Sequence, residues 1–245
     1  MKKTVFLIIL GVVTAGCICW GTLRNVYGYA EEKNTDNNKT INQTLESFSA
    51  INIDAGVMAI VIKEGSEFKI EGHANRKYLM PEISVNRGNL EIKQNKKKPR
   101  FSTGYENSRV IITIPGGTEL RSIDVDTSVG DLKLNDIVAE DLDLEVDVGK
   151  ITINNVAFLT LRVENNIGDV RLTPEGDFNS VEINNNVGEI SVYPKENIKD
   201  YKVSLSTDVG DIDVEGQHYK NSYNSSGSSN KKITVNTNVG AINIH

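Results

Sequence analysis

The sequence predicts an all-β protein, a single-stranded β-helix-like solenoid with an irregular β-rich amino-terminal cap, and three observations carry that reading. A glycine recurs at Gly130, Gly149, Gly168, Gly188, Gly210 and Gly240, spaced 19, 19, 20, 22 and 30 residues apart; periods of this length point to repeat architectures. Apolar residues stand seven, five and one position before each glycine and two and four after it, as Leu142, Leu144, Val148, Ile151 and Ile153 do around Gly149. Three positions before the glycines the register holds Thr127, Val146, Asn165, Asn185, Thr207 and Thr237.

Side chains alternate across a strand, so the residues before the glycine share one face, and the change of phase on crossing it cannot occur in a straight strand. Each glycine therefore marks a corner or bulge between two short strands. Its missing side chain permits both an unusual dihedral and close stacking of successive corners. The polar residues in register fit stacking too, because a repeated hydroxyl or amide can bond to its neighbours above and below, whereas one buried alone is costly. The alternative places them at the solvent-facing rim of the turn.

In chain order, residues 1–3 read as a cytoplasmic tip with Lys2 and Lys3, and residues 4–23 contain no charged side chain. As a helix such a stretch spans roughly 30 Å, enough to cross a membrane. With lysines inside, the chain beyond is exported, which predicts a cell-membrane protein with an extracellular carboxyl-terminal domain. Thr14-Ala15-Gly16-Cys17 also has the small residues and cysteine of a lipoprotein processing site. Lipid anchorage at Cys17 and secretion after signal cleavage therefore stay open.

Cys17 and Cys19 are the only cysteines, so the exported part has no disulfide and no cysteine nucleophile. Setting aside Lys2, Lys3 and Arg24 leaves 24 basic against 33 acidic residues, a formal charge of −9. Nucleic acid is excluded as a partner on that balance.

Residues 24–44 read as a polar tether and 45–120 as the cap, which covers an otherwise unpaired edge, with a hairpin turn at Asn86 to Asn89. Residues 121–245 hold the repeats. The links Asn135 to Asp141 and Asn154 to Thr160 place Ile137 and Val156 equivalently, which predicts a third short strand closing each coil. Residues 215–232, rich in Asn and Ser, predict a mobile loop.

The units Val129-Gly130-Asp131-Leu132, Ile167-Gly168-Asp169-Val170, Val187-Gly188-Glu189-Ile190, Val209-Gly210-Asp211-Ile212 and Val239-Gly240-Ala241-Ile242, with Phe48 to Ile53 and Ile112 to Pro115, carry a resemblance. The chain resembles bacterial cell-envelope proteins described as candidate adhesins with a β-strand repeat. The resemblance implies a solenoid fold, no catalytic residues, and an association with envelope-stress systems. Lys150 and Ala241 depart from the Gly-Asp pattern, so the acid is not required in every unit.

No Gly-x-Ser-x-Gly, His-Glu-x-x-His, phosphate-loop or dinucleotide motif is present, and His73, His218 and His245 are scattered. The expectation is a non-catalytic binding or structural module displayed on the envelope. The alternatives are an accessory ectodomain of an envelope-stress sensing system and a polysaccharide-acting β-helix enzyme. No cofactor is required on this reading. Two surface features are candidate sites. Asp124, Asp126, Asp143, Glu145, Asp147 and Glu164 fall beside one another on the outer face if the register holds, a cluster that could take up Ca²⁺ weakly or else form a solvated acidic wall. Lys96, Lys97, Lys98 and Arg100 reverse the local charge and could contact anionic headgroups or a wall polymer, unless they are a solvated loop. Expected partners are the membrane through residues 4–23 and an envelope protein or wall polymer.

Overall fold

The computed structural model describes residues 39–94 and 107–245. The chain lays down β1 (Lys39–Thr44), β2 (Ala50–Val57), β3 (Ala59–Gly65), β4 (Lys69–Ala74), β5 (Glu82–Asn86), β6 (Asn89–Lys93) and β7 (Ser108–Pro115). Pairs then follow: β8 (Glu119–Val129) with β9 (Leu132–Asn135), β10 (Val138–Val148) with β11 (Ile151–Val156), β12 (Thr160–Ile167) with β13 (Val170–Pro174), and β14 (Ser180–Val187) with β15 (Ile190–Val192). The last are β16 (Lys202–Val209) with β17 (Ile212–Val214), two short strands β18 (Gln217–Tyr219) and β19 (Ser222–Ser225), and β20 (Lys232–Val239) with β21 (Ile242–Ile244).

All-β is what forms, but the single-stranded solenoid with a closing third strand is not. The strands make two large mixed sheets, one of ten in the order β19-β16-β20-β14-β12-β10-β8-β2-β6-β5 and one of eleven in the order β1-β4-β7-β3-β9-β11-β13-β15-β21-β17-β18. Each glycine joins a strand of one sheet to a strand of the other, so a repeat is a two-strand rung. The links supply no third wall, because Val138 already begins β10 and Val156 ends β11. Neighbouring rungs pair in parallel and in register, whereas β1, β4 and β5 at one end and β18 and β19 at the other run antiparallel to their neighbours.

Rung order also departs from chain order. The last pair, β20 and β21, is inserted between β14–β15 and β16–β17. At the other end β2 and β3 lie between the β8–β9 rung and the strands β6 and β7, which come later in the chain than β2 and β3. The region read as an irregular cap thus builds rungs of the same kind. Ile51, Ile53 and Ala55 before Met58, and Ile60 and Ile62 after it, repeat the apolar spacing of the glycine units and are all buried. Residues 215–232, read as a mobile loop, contain β18 and β19, which cover the outer edges of β17 and β16.

The inward residues of both sheets form one continuous core, including Leu142, Leu144, Ile151 and Ile153 of one rung. Phe158, Phe178 and Tyr201, from successive links, stack with ring centroids 5.5 and 5.0 Å apart and close one side of it. One inward assignment is corrected. The residue immediately before the glycine is not buried: it is exposed in four units, at 43% for Val148 and 47% for Ile167, and half-buried at Val187 and Val239. Pairing of β10 with β12 runs to Val146 and resumes at Val148, skipping Asp147. That break in alternation turns the next side chain out.

The expected membrane anchor, residues 4–23, lies outside the described residues, as does the basic run 96–100. Among the described residues no helix is long and apolar enough to cross a membrane. The cell-membrane placement and the membrane as a partner are corrected to readings without support among the described residues, and neither is carried forward.

Candidate functional site

The corner glycines stack into a column so close that a side chain would collide with backbone. A Cβ on Gly168, at φ 145°, would lie 1.9 Å from the Gly149 carbonyl oxygen, and one on Gly130 would lie 2.1 Å from that of Met58. The buried polar row beside the column bonds to it. Asn165 Nδ2 donates to the Gly149 carbonyl at 3.3 Å, Asn185 Nδ2 to that of Gly168 at 3.0 Å, and Thr207 Oγ1 to that of Gly240 at 3.0 Å. These side chains therefore satisfy corner carbonyls instead of one another. The acid after the glycine has a related role: Asp131 Oδ1 accepts from the Lys150 N–H at 3.0 Å and Asp169 Oδ1 from the Glu189 N–H at 3.1 Å.

The column ends at Met58, and Gln94 completes it. Buried to 4% exposure, Gln94 accepts at Oε1 from the N–H groups of Gly56 and Val57 at 3.0 and 2.7 Å. It donates to the carbonyls of Val57 and Leu79 at 3.1 and 2.6 Å. Sequence reasoning passed over this residue. The signal that could have found it is register, because Leu90 and Ile92 pair with Ile51 and Ile53, and Gln94 follows Ile92 at the same two-residue spacing.

On the outer face of the ten-stranded sheet, the register places Asp124 beside Asp143, Asp126 beside Glu145, and Glu145 beside Glu164. Arg162 stands next to Asp143 and bonds it at 3.1 Å while also bonding Glu164. Partial burial, then the nearby charges of Asp143 and Asp126, hold the Asp124 carboxyl above its usual range. Glu145 is raised first by burial and then by Asp126, Glu164 and Asp147. The Asp143 hydrogen bond raises Arg162. Among the described residues no group of three or more His, Cys, Asp and Glu side chains is disposed to hold a metal ion. The three histidines are not brought together: His218 pairs with Asp213 at 3.1 Å and His245 stacks on Tyr193 at 4.7 Å.

Further along the same face the acids give way to amides in two ladders. In the first, Asn238 Nδ2 donates to Asn186 Oδ1 at 2.8 Å, Asn186 to Asn166 at 2.6 Å and Asn166 to Asp147 at 2.7 Å. In the second, Ser206 Oγ donates to Asn236 Oδ1 at 2.7 Å and Asn236 to Asn184 at 3.0 Å. A groove of about 320 Å³ runs between them, with Glu164 at one end. Sequence reasoning missed it, although the Asn-rich stretches at 165–166 and 184–186 were its signal.

A family model matches the chain twice, over the overlapping residues 48–173 and 118–245. The chain belongs to the Toastrack DUF4097 family. The resemblance read from the Gly-Asp units therefore holds. Among solved structures, a candidate cell adhesion protein from Clostridium sporogenes is 20% identical with a TM-score of 0.52, over 84% of this chain and 98% of its own. A candidate adhesin from Bacteroides fragilis is 17% identical with a TM-score of 0.53, over 86% and 98%. At these identities the likeness establishes the Toastrack fold alone. No curated protein matches the sequence.

Proposed function

We propose that this Toastrack domain is a non-catalytic binding module of the bacterial cell envelope. The observation that carries the reading is the outer face itself, a set of side-chain rows held at strand spacing by the glycine column. Such a face presents many weak contacts at fixed intervals, which suits an extended or repetitive partner more than a reaction centre. Support comes from the two fold neighbours, both described as adhesion proteins rather than enzymes.

Family membership favours a particular form of this role, an accessory domain of an envelope-stress sensing system, over a free-standing adhesin. Capture of partners from envelope extract with the tagged full chain, with a glycan array alongside, tests both. A specific protein partner supports the sensing role and saccharide capture without product supports adhesion. Shortened glycans, or no capture of either kind, defeat the proposal.

A further inference from the structure

We propose that the groove between the two amide ladders binds a neutral, extended glycan chain laid along the stack across β12, β14 and β20. The inference deepens the binding-module reading and rests on it. One rail is Glu164, Asn184 and Asn236, and the other is Asn166, Asn186 and Asn238. The floor brings a second observation. Asn165 and Asn185, 3% and 4% exposed, border the groove, and their Oδ1 atoms have no hydrogen-bond partner among the described residues.

The bonding left over on the rails selects the ligand class. A primary amide has two N–H donors and two acceptor lone pairs. Asn186 uses one of each within its ladder, donating to Asn166 and accepting from Asn238. One donor and one acceptor site remain on the same side chain. A hydroxyl is the group that both donates and accepts at a single atom. A phosphate or carboxylate offers acceptors alone, and it would meet Glu164 and Asp147 at one end of the groove. An ammonium offers donors alone and leaves the amide N–H groups unused.

Spacing then selects the kind of polyol. The rails repeat at the strand separation, about 4.8 Å, which is close to the rise per sugar of an extended β-1,4-linked chain. Successive sugars of that chain are turned over, so each rail meets the two ring edges alternately with a hydroxyl at every rung, whereas a helical α-1,4-linked chain curves away from a straight rail. Beside the second rail stands the apolar ridge of Ile167, Val187 and Val239, paired in register along the stack. Ile167 is 47% exposed and the two valines are half-buried, and aliphatic side chains so placed next to amides suit the C–H face of a sugar ring, whose edge carries the hydroxyls.

Titration of the full chain with cellotetraose, chitotetraose and maltotetraose, followed through the side-chain amide resonances of asparagine, tests the assignment. A β-1,4-linked tetrasaccharide is expected to give saturable shifts at Asn166, Asn186 and Asn238, with maltotetraose at least about tenfold weaker. Asn186→Ala and Asn236→Ala, on opposite rails, should each weaken binding about tenfold, whereas Asp124→Asn, outside the groove, leaves it unchanged. Thermal unfolding of each variant shows that the fold is intact. Absence of saturable shifts with both β-1,4-linked probes, equal affinity for maltotetraose, or full affinity in both alanine variants overturns the proposal. Partner capture from envelope extract that is undiminished by Asn186→Ala removes the groove and leaves the binding module standing. Tetrasaccharide binding without any protein partner from envelope extract keeps the groove and the adhesion form of the module and removes the sensing form.

Discussion

The acidic rungs and the amide rungs share the outer face of one sheet, at the same strand spacing, and behave differently because their side chains differ. Asp124, Asp126, Asp143 and Glu145 lie beside like charges, and the pKa values of Asp124 and Glu145 rise in consequence of burial and that proximity. Two ionised carboxylates have acceptors and no donor, so they cannot bond across the rungs. Asn166, Asn186 and Asn238 have both and form a chain of hydrogen bonds that ends on Asp147. A stacked sheet repeats whatever each position carries. Repetition is stabilising for a self-complementary group and destabilising for a charged one.

The largest way to break the comparison is to remove the backbone spacing that both halves share. Gly168→Val should lower the unfolding free energy by more than about 3 kcal/mol, because its side chain must displace the Gly149 carbonyl, whereas Asn166→Ser should lower it by about 0.5 kcal/mol. Urea midpoints measure both, and equal midpoints would show the glycine column to be incidental. Gln94→Ala comes next at about 3 kcal/mol, since it strands the N–H groups of Gly56 and Val57 at the end of the column. Unchanged thermal stability would contradict its role there.

The third test sets the two kinds of rung against each other. Asn186→Ala should destabilise by about 1 kcal/mol, while Glu145→Gln should raise the melting temperature at neutral pH. Asp124 and Glu145 bind protons more tightly when folded, their pKa values being raised above 3.8 and 4.5. Their charged forms therefore oppose folding at neutral pH. That opposition is relieved as pH falls through the raised values, and it is gone below the ordinary ones. The gain from Asp124→Asn or Glu145→Gln should accordingly shrink to nothing on acidification through this window. A gain that is constant with pH would assign it to packing instead of charge.

The smallest expected effect concerns cations. Ca²⁺ should shift the melting temperature no more than NaCl of matched ionic strength, because the carboxylates form a ladder without a converging ligand set. A larger shift in Ca²⁺, abolished by changing Asp143 and Glu145 to Asn and Gln, would restore a specific site.

What the sequence determined by itself is whatever repeats at short range. The apolar alternation around six glycines was enough for the rungs, the corner column and the alignment of Asp124 with Asp143, because strand periodicity and glycine sterics act within about a dozen residues. The tertiary structure decided what depends on partners distant in the chain. Met58 takes the glycine position in an early rung because Gln94, and not another corner, lies beyond it, so that rung showed no glycine to read. Insertion of β20 beside β14 follows from pairings 52 residues apart that any rung of similar pattern satisfies locally. The residue before each glycine turns outward because the ladder skips a position there, which a strict period of two conceals. The amide groove likewise exists only where Asn184, Asn186, Asn236 and Asn238 meet, and their meeting is set by the order in which the rungs stack.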